Sequence, residues 1–478
     1  MLNWIIKNDW RNLRADRTLW AVAILLGCVI AYGVHNGAAW VNFQKETIQR
    51  AMEEESTRLQ ALRKGIDDAN AGRTNPPSFR DPRSPFSVGY TMGGRYAFLP
   101  PGPLAPLAVG QSDLLPYYFK VSLRSRDTII GNDEIENPVH LLSGRFDLAF
   151  VIIYLFPLLI LALSYNLISS EKEDGTLAMT LSQPVSLRTL AAGKIALRGL
   201  FVISVATAIS IAAALFSGVN LAAEGALPRF LLWIVAVAAY GAFWFALAVA
   251  VNALGRGSST NAVALAGMWL VFVLLVPALL NVAVKAVHPV PSRVEMIQAM
   301  REAGDDVTRT RSKLLAKYLE DHPELVPATK DSAQEFAVRS VAIMEEMERR
   351  VQPVLARFET QLAQQQDLVD HYRFLSPAVL MQSALYDLAG TNVFRYKHFA
   401  QLTQEFHREW SDHFSPLVAR SVKLTPASID AMPKFAYREE AFPDVLARVG
   451  ISLAGLLGLA AIAAFAAIRG MRNYPMVG

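Results

Sequence analysis

The residues best equipped for chemistry lie in one short polar stretch, Glu171-Lys172-Glu173-Asp174-Gly175-Thr176-Leu177. Its acidic groups can keep register with a charged partner, since charge pairs add more to specificity than to affinity, and Arg188 and Lys194 are candidate internal counter-charges. Four consecutive charges cannot sit in lipid, where each costs about 2.5–3.5 kcal/mol at mid-bilayer. Gly175 permits a turn, and Thr176 opens a helix-compatible segment before Gln183-Pro184. On polarity alone the run reads as a solvated connection. Other chemistries lack their residues. Gly193-Lys194 has neither the upstream glycine nor the following hydroxyl residue of a phosphate-binding loop. His407, in Phe406-His407-Arg408-Glu409, has no second histidine one turn away, and the eight histidines show no ligand spacing. Lone Cys28 excludes an intrachain disulfide. The expectation is no catalytic residue, no metal and no cofactor in this chain.

The elements that hold the stretch are set by hydropathy. Of 478 residues, 53% are hydrophobic and 18% charged, against about 25% charged in ordinary globular chains. Forty-six basic and forty-two acidic residues leave +4, too weak a field for a nucleic-acid partner. Six apolar runs occupy 19–34, 148–167, 199–217, 230–251, 262–284 and 449–468. Five reach the roughly 20 residues a bilayer requires, and the first does so by extending to Trp40. Residues 1–18 place Leu2, Ile6, Trp10 and Leu13 at helical spacing with Lys7, Arg11, Arg14 and Arg17 displaced, the pattern of an interfacial helix that includes Trp4. A signal peptide is the competing reading of this start. Basic residues at 1–17, 172–194, 256 and 469–472 fall on one side, which with an even number of spans predicts cytoplasmic termini and two long segments on the opposite side.

The predicted order is therefore an interface helix (1–18), a first span (19–40), a first outer segment (41–147), a second span (148–167), a cytoplasmic loop (168–198), spans at 199–217, 230–251 and 262–284, a second outer segment (285–448), a sixth span (449–468) and a tail (469–478). The first outer segment starts as a helix over 42–71 and turns proline-rich over 75–116, where strands and turns are expected. The second is helical, with stretches at 293–318, 333–372 and 377–388. The fold class is mainly α: a six-helix membrane bundle with two large insertions, the first mixed with extended structure. Asp147 and Arg145 mark a span end, while Pro157 and Pro277 can kink their spans. Gly241 and Gly455 allow close helix contact, within the bundle or in a dimer. Trp233, Trp244 and Trp269 either pack or line a path.

Glu171, Glu173, Gly175, Thr176 and Leu177 match an E-x-E-x-G-T-L pattern, and in this the chain resembles the ABC-2 permeases, the membrane subunits of ATP-binding cassette transporters. The ordered runs Gly110-Gln111-Ser112-Asp113…Pro116, Asn137-Pro138…Leu141-Leu142-Ser143-Gly144-Arg145-Phe146-Asp147 and Phe374-Leu375-Ser376-Pro377…Ala389-Gly390-Thr391 are similar to the DUF3526 branch, relatives of gliding-type permeases. The resemblance implies a subunit in the bacterial inner membrane, paired with an identical or homologous permease and two cytoplasmic ATPases that carry ATP and magnesium. Residues 171–177 would dock on the ATPase, beside the interface helix bearing Trp4, Ile6, Trp10 and Arg14. Export is the implied direction. The alternatives are ATP-driven mechanical action on an envelope partner without transport, and a membrane-anchored receptor or scaffold.

Overall fold

The computed structural model describes residues 11, 17–123, 145–183, 186–289, 293–309, 320, 332–472 and 474. The expected interface-helix residues Trp4, Ile6, Trp10 and Arg14 lie outside the described residues, as does the run 137–144. The described residues are mainly helical with one small antiparallel sheet.

Helix α1 (Arg17–Asn70) runs unbroken for 54 residues, joining the first apolar run to the helix expected beyond it. Trp40, Val41, Gln44, Ala51, Leu59, Leu62 and Ile66 are buried along one face, so an apolar stripe continues past the lipid-length portion. The proline-rich stretch contributes less strand than expected. Among the described residues only β1 (Arg95–Phe98) and β2 (Tyr118–Val121) pair, antiparallel, with Arg95 opposite Val121 and Phe98 opposite Tyr118. Much of the remainder is turns, because proline removes ladder donors yet suits a first helical position: Pro85 follows Ser84, whose side chain accepts from Ser87 N–H.

Helix α2 (Leu148–Glu173) follows, with turns at 165–168, then α3 (Leu177–Leu181), α4 (Leu187–Phe216), α5 (Ala226–Asn252) and α6 (Ser258–Val287). Next come α7 (Arg293–Arg309), α8 (Ser332–Tyr372), α9 (Pro377–Ala389), α10 (Val393–Ala419), α11 (Pro426–Asp430) and α12 (Phe442–Arg472). Among the described residues, α2, α4, α5, α6 and α12 are five helices long and apolar enough to cross a membrane.

Three apolar cores, besides a small cluster at Val351 and Leu355, form among the described residues. One joins α1, the sheet and α10 through Trp40, Ile66, Phe399, Trp410 and Phe414. The bundle core holds Phe156, Trp233, Tyr240 and Trp244. The third gathers Leu167, Ile168, Leu177, Leu187, Leu190 and Tyr474 around the polar loop. We call the ends of the bundle the domain end and the loop end accordingly.

Helix α9 packs in the bundle core, although the sequence places it in the segment expected outside the membrane. It packs along α5 and α12, burying Leu380, Met381, Ala384, Leu385 and Leu388. At about 20 Å it is too short to cross a bilayer, yet apolar side chains surround most of it, so only an apolar setting satisfies it. Gly455 of α12 makes room: a Cβ there would lie 2.9 Å from both Leu380 Cδ1 and Phe374 Cδ1. The expected stretches omit helix α10, although its buried Phe399, Leu402, Phe406 and Trp410 recur at helical spacing among charged residues.

Candidate functional site

The polar stretch is a folded bracket. Residues Ser169–Glu173 form a last helical turn, Gly175 takes φ +69°, and α3 starts at Leu177. A side chain at that φ is strained, so glycine is what lets the chain reverse so tightly. Leu177 is buried in the loop-end core and anchors the far arm.

Both glutamates have partners within the chain, Glu171 half-buried and Glu173 exposed. Glu171 Oε1 pairs with Lys194 Nζ at 2.7 Å, and the same ammonium donates to Leu167 O at 2.9 Å. Glu173 accepts from Ser258 N–H at 2.6 Å and from Ser258 Oγ at 2.7 Å. A carboxylate at the start of α6 satisfies an unpaired amide and meets the positive end of the helix dipole. Ser169 Oγ lies 2.8 Å from Ser258 Oγ, and Lys172 Nζ donates to Gly255 O at 3.3 Å. The bracket is thus tied to α4 through Lys194 and to α6 through Ser258. Of the two expected counter-charges, Lys194 is used; Arg188 is exposed and carries no ion pair among the described residues. What the bracket presents outward is Glu173, whose carboxylate is already bonded to Ser258, with Asp174, Gly175, Thr176 and Met179, the last 75% exposed.

Asn252 splices the break in α2. Its Oδ1 accepts from Ile168 N–H at 3.2 Å while its Nδ2 donates to Ser164 O at 3.0 Å. Those are the donor and acceptor of one helical rung, four residues apart. A carboxamide reproduces both halves of a peptide group, which a carboxylate cannot. Asn261 adds contacts to Ser169 Oγ at 3.4 Å and Asn252 Oδ1 at 3.5 Å. Sequence reasoning misses these two asparagines because they sit at the ends of apolar runs, where polar residues ordinarily mark an interface. The available signal is a carboxamide type in both places.

The proline breaks are also held across helices. In α2, Phe156 N–H donates to Val151 O, five residues back, and Pro157 has no amide for Ile153 O. Tyr240 Oη donates to Ile153 O at 2.8 Å, and Trp269 Nε1 to Tyr154 O at 3.1 Å. Trp233 and Trp244 are fully buried and pack in the core. In α6, Val276 N–H donates to Val271 O, and Ser376 Oγ donates to Phe272 O at 2.6 Å.

The separate sequence motifs meet at the domain end. Asp147 caps α2, accepting from Phe150 N–H at 2.7 Å and Val109 N–H at 2.8 Å. Burial pushes its carboxyl up to about 6 against the pull of those amides. Arg145 pairs with Asp113 at 2.9 Å and lies 4.3 Å from the centre of the Trp40 ring. Leu104 N–H and Gln111 N–H donate to Ala389 O and Thr391 O, both at 3.4 Å. Gly390, at φ +72°, ends α9 where a Cβ would lie 3.2 Å from Gly102 Cα. Around this point Arg395 grips Glu439 through two bonds of 2.7 and 2.9 Å and donates to Pro100 O at 3.0 Å. Burial works against the Glu439 charge, but Arg395 outweighs it and holds the carboxyl below its ordinary range. Arg448 bridges Asp387 at 2.9 Å and Glu440 at 2.8 Å, and Arg229 donates to Asp387 O at 3.0 Å. These groups lock α9 to α5, α10 and α12.

No cluster of three metal-ligating side chains occurs among the described residues. Residues 293–438, which span α7 to α11, match the family model described as Domain of unknown function (DUF3526). No curated protein matches the chain.

Proposed function

We propose that this chain is the membrane-spanning permease subunit of an ABC-2 type transporter, coupling ATP hydrolysis on separate cytoplasmic ATPases to substrate movement. The observation that carries the reading is the bracket at 169–181: a polar loop between two apolar helices, tied to α4 and α6 and offering a compact outward edge. A docking element has to pass force on, and one ion pair, two hydrogen bonds to Ser258 and a buried leucine give it that stiffness. The match of residues 293–438 to the DUF3526 model supports the same branch.

In this reading the lipid-length part of α1 joins the five apolar helices as a sixth span. Both termini and the bracket are cytoplasmic, and the domain end faces away from the cytoplasm. A second permease, identical or homologous, completes the complex, with membrane lipid around it. Mg-ATP binds on the partner, and the direction is export. Helix α9 then dips into the bilayer from the domain end. Mechanical action on an envelope partner is the second reading, favoured by the ties that run from the bracket through α6 to α9.

The docking surface differs from a simple reading of the acidic motif, because Glu171 and Glu173 are occupied internally. Asp174, Thr176 and Met179 are the contact residues. Purification in mild detergent should retain a chain with a phosphate-binding loop, and Thr176→Arg with Met179→Glu should release it while the permease keeps its thermal stability. Full retention of the ATPase by that double variant would refute the docking assignment. Recovery of a functional protein with no ATPase would leave the scaffold reading.

A further inference from the structure

We propose that α6 is the rod linking the 169–181 bracket to the domain-end helices, and that Ser376 is the residue that engages it. The inference deepens the permease reading, but the linkage itself is a property of this chain alone.

The loop end of the rod is clamped. Both carboxylate oxygens of Glu173 are spent on Ser258, the first residue of α6. About 21 Å further along, at the helical rise of 1.5 Å per residue, is Phe272. Its carbonyl has lost its helical partner in either register. The amide four residues on, Val276, is committed to Val271 O, and the residue five on is Pro277, which has no amide. An unpaired carbonyl in an apolar setting is costly, and Ser376 Oγ supplies the missing donor at 2.6 Å. The same oxygen accepts from Val379 N–H at 3.3 Å and caps α9. One hydroxyl therefore belongs to both helices, its proton given to the α6 break and a lone pair to the start of α9. From there α9 leads to Asp387, held by Arg448 and Arg229. At the far end of the rod, His288 O accepts from Gln365 of α8 at 2.6 Å.

What makes α6 a rod is how little else holds it. Only 11% of its apolar window is buried within the chain, against 56% for α2 and 61% for α5. Between Ser258 and Phe272 the rod is also tied by Asn261 to Ser169 and Asn252 and by Trp269 to Tyr154 O, so a displacement at Ser258 is shared with the neighbouring helices at these points, and Ser376 is the tie that passes it on to α9. The break in α2 provides the contrast. Ile153 O is satisfied by Tyr240 in the same way, but α2 is gripped on many sides and its break is a local repair.

The test uses the full chain in lipid nanodiscs, without any ATPase, read by amide hydrogen exchange. Ser376→Ala should accelerate exchange threefold or more in peptides covering 169–181 and the first turn of α6. Ser376→Thr should restore the wild-type rates, and Tyr240→Phe should change only peptides around 153–158. Acceleration confined to 272–280 and 376–380 overturns the proposal, as does an equal effect of Tyr240→Phe on the bracket. If Ser376→Ala does not fold, coupling must appear in reverse. Glu173→Ala should then raise the labelling rate of a cysteine placed at Leu375, and an unchanged rate overturns the linkage. Because no partner is present, failure here is separate from failure of the permease reading, which would show as no response to ATP once an ATPase is supplied.

Discussion

Replacing Asn252 with alanine should loosen the bracket more than any surface change in it. Its side chain is fully buried and substitutes for one rung of α2 between Ser164 and Ile168. Ser164 O keeps a second donor, Leu167 N–H at 3.3 Å, so the group left bare is the Ile168 amide. A buried donor without a partner costs about 1–3 kcal/mol, and we take about 2 kcal/mol as the loss of local stability. At about 1.36 kcal/mol per factor of ten, that corresponds to roughly 30-fold faster amide exchange at 165–173 if local opening governs the rate. Asn252→Asp should do no better, because it keeps the acceptor for Ile168 but has no donor for Ser164 O and carries a charge in a closed site. The assay is exchange followed by mass spectrometry on the detergent-solubilised chain, with gel filtration to show the fold intact. A change below threefold at Ile168 in a folded Asn252→Ala protein would refute the splice.

Three further outcomes follow from the contacts around α9 and the domain end. The raised carboxyl of Asp147 makes the protein hold its proton through the interval from 3.8 to about 6. Its contribution to stability is therefore complete below the unfolded value and lost as pH rises through 6, by about 3 kcal/mol. Asp147→Asn should flatten that slope in thermal melts at pH 4 to 8, and an unchanged slope would count against it. Glu439 runs the other way: held low by Arg395, it stabilises above the unfolded carboxylate range and loses that contribution as pH falls through its own. Arg395→Met should remove this acid-side dependence while lowering the melting temperature at neutral pH. Gly455→Val should crowd Leu380 and Phe374, costing about 1–3 kcal/mol by overpacking. Faster tryptic cleavage at Arg373 would report displacement of α9, and cleavage at the wild-type rate would argue against the close fit.

The apolar runs, the turn at Gly175 and the kinks at Pro157 and Pro277 are legible in the amino-acid sequence by itself, because lipid length, φ > 0 and a missing amide are properties of the residues themselves. The extent of α1 is half legible: the stripe beyond Trp40 has a helical period, and its continuity with the first run follows from the absence of a breaker between them. Three things are decided only by packing. Glutamates 171 and 173 look available to a partner, yet Lys194 and Ser258 claim them from other helices. Helix α9, expected with the outer segment, enters the bundle because Gly455 leaves space for it. Asn252, Tyr240 and Ser376 are ordinary polar residues in sequence, and each sits on a carbonyl or amide that its helix cannot satisfy. Periodicity records how much of a helix must leave water. It carries no record of which distant side chain completes a broken hydrogen bond, since that depends on positions brought together only when the helices pack.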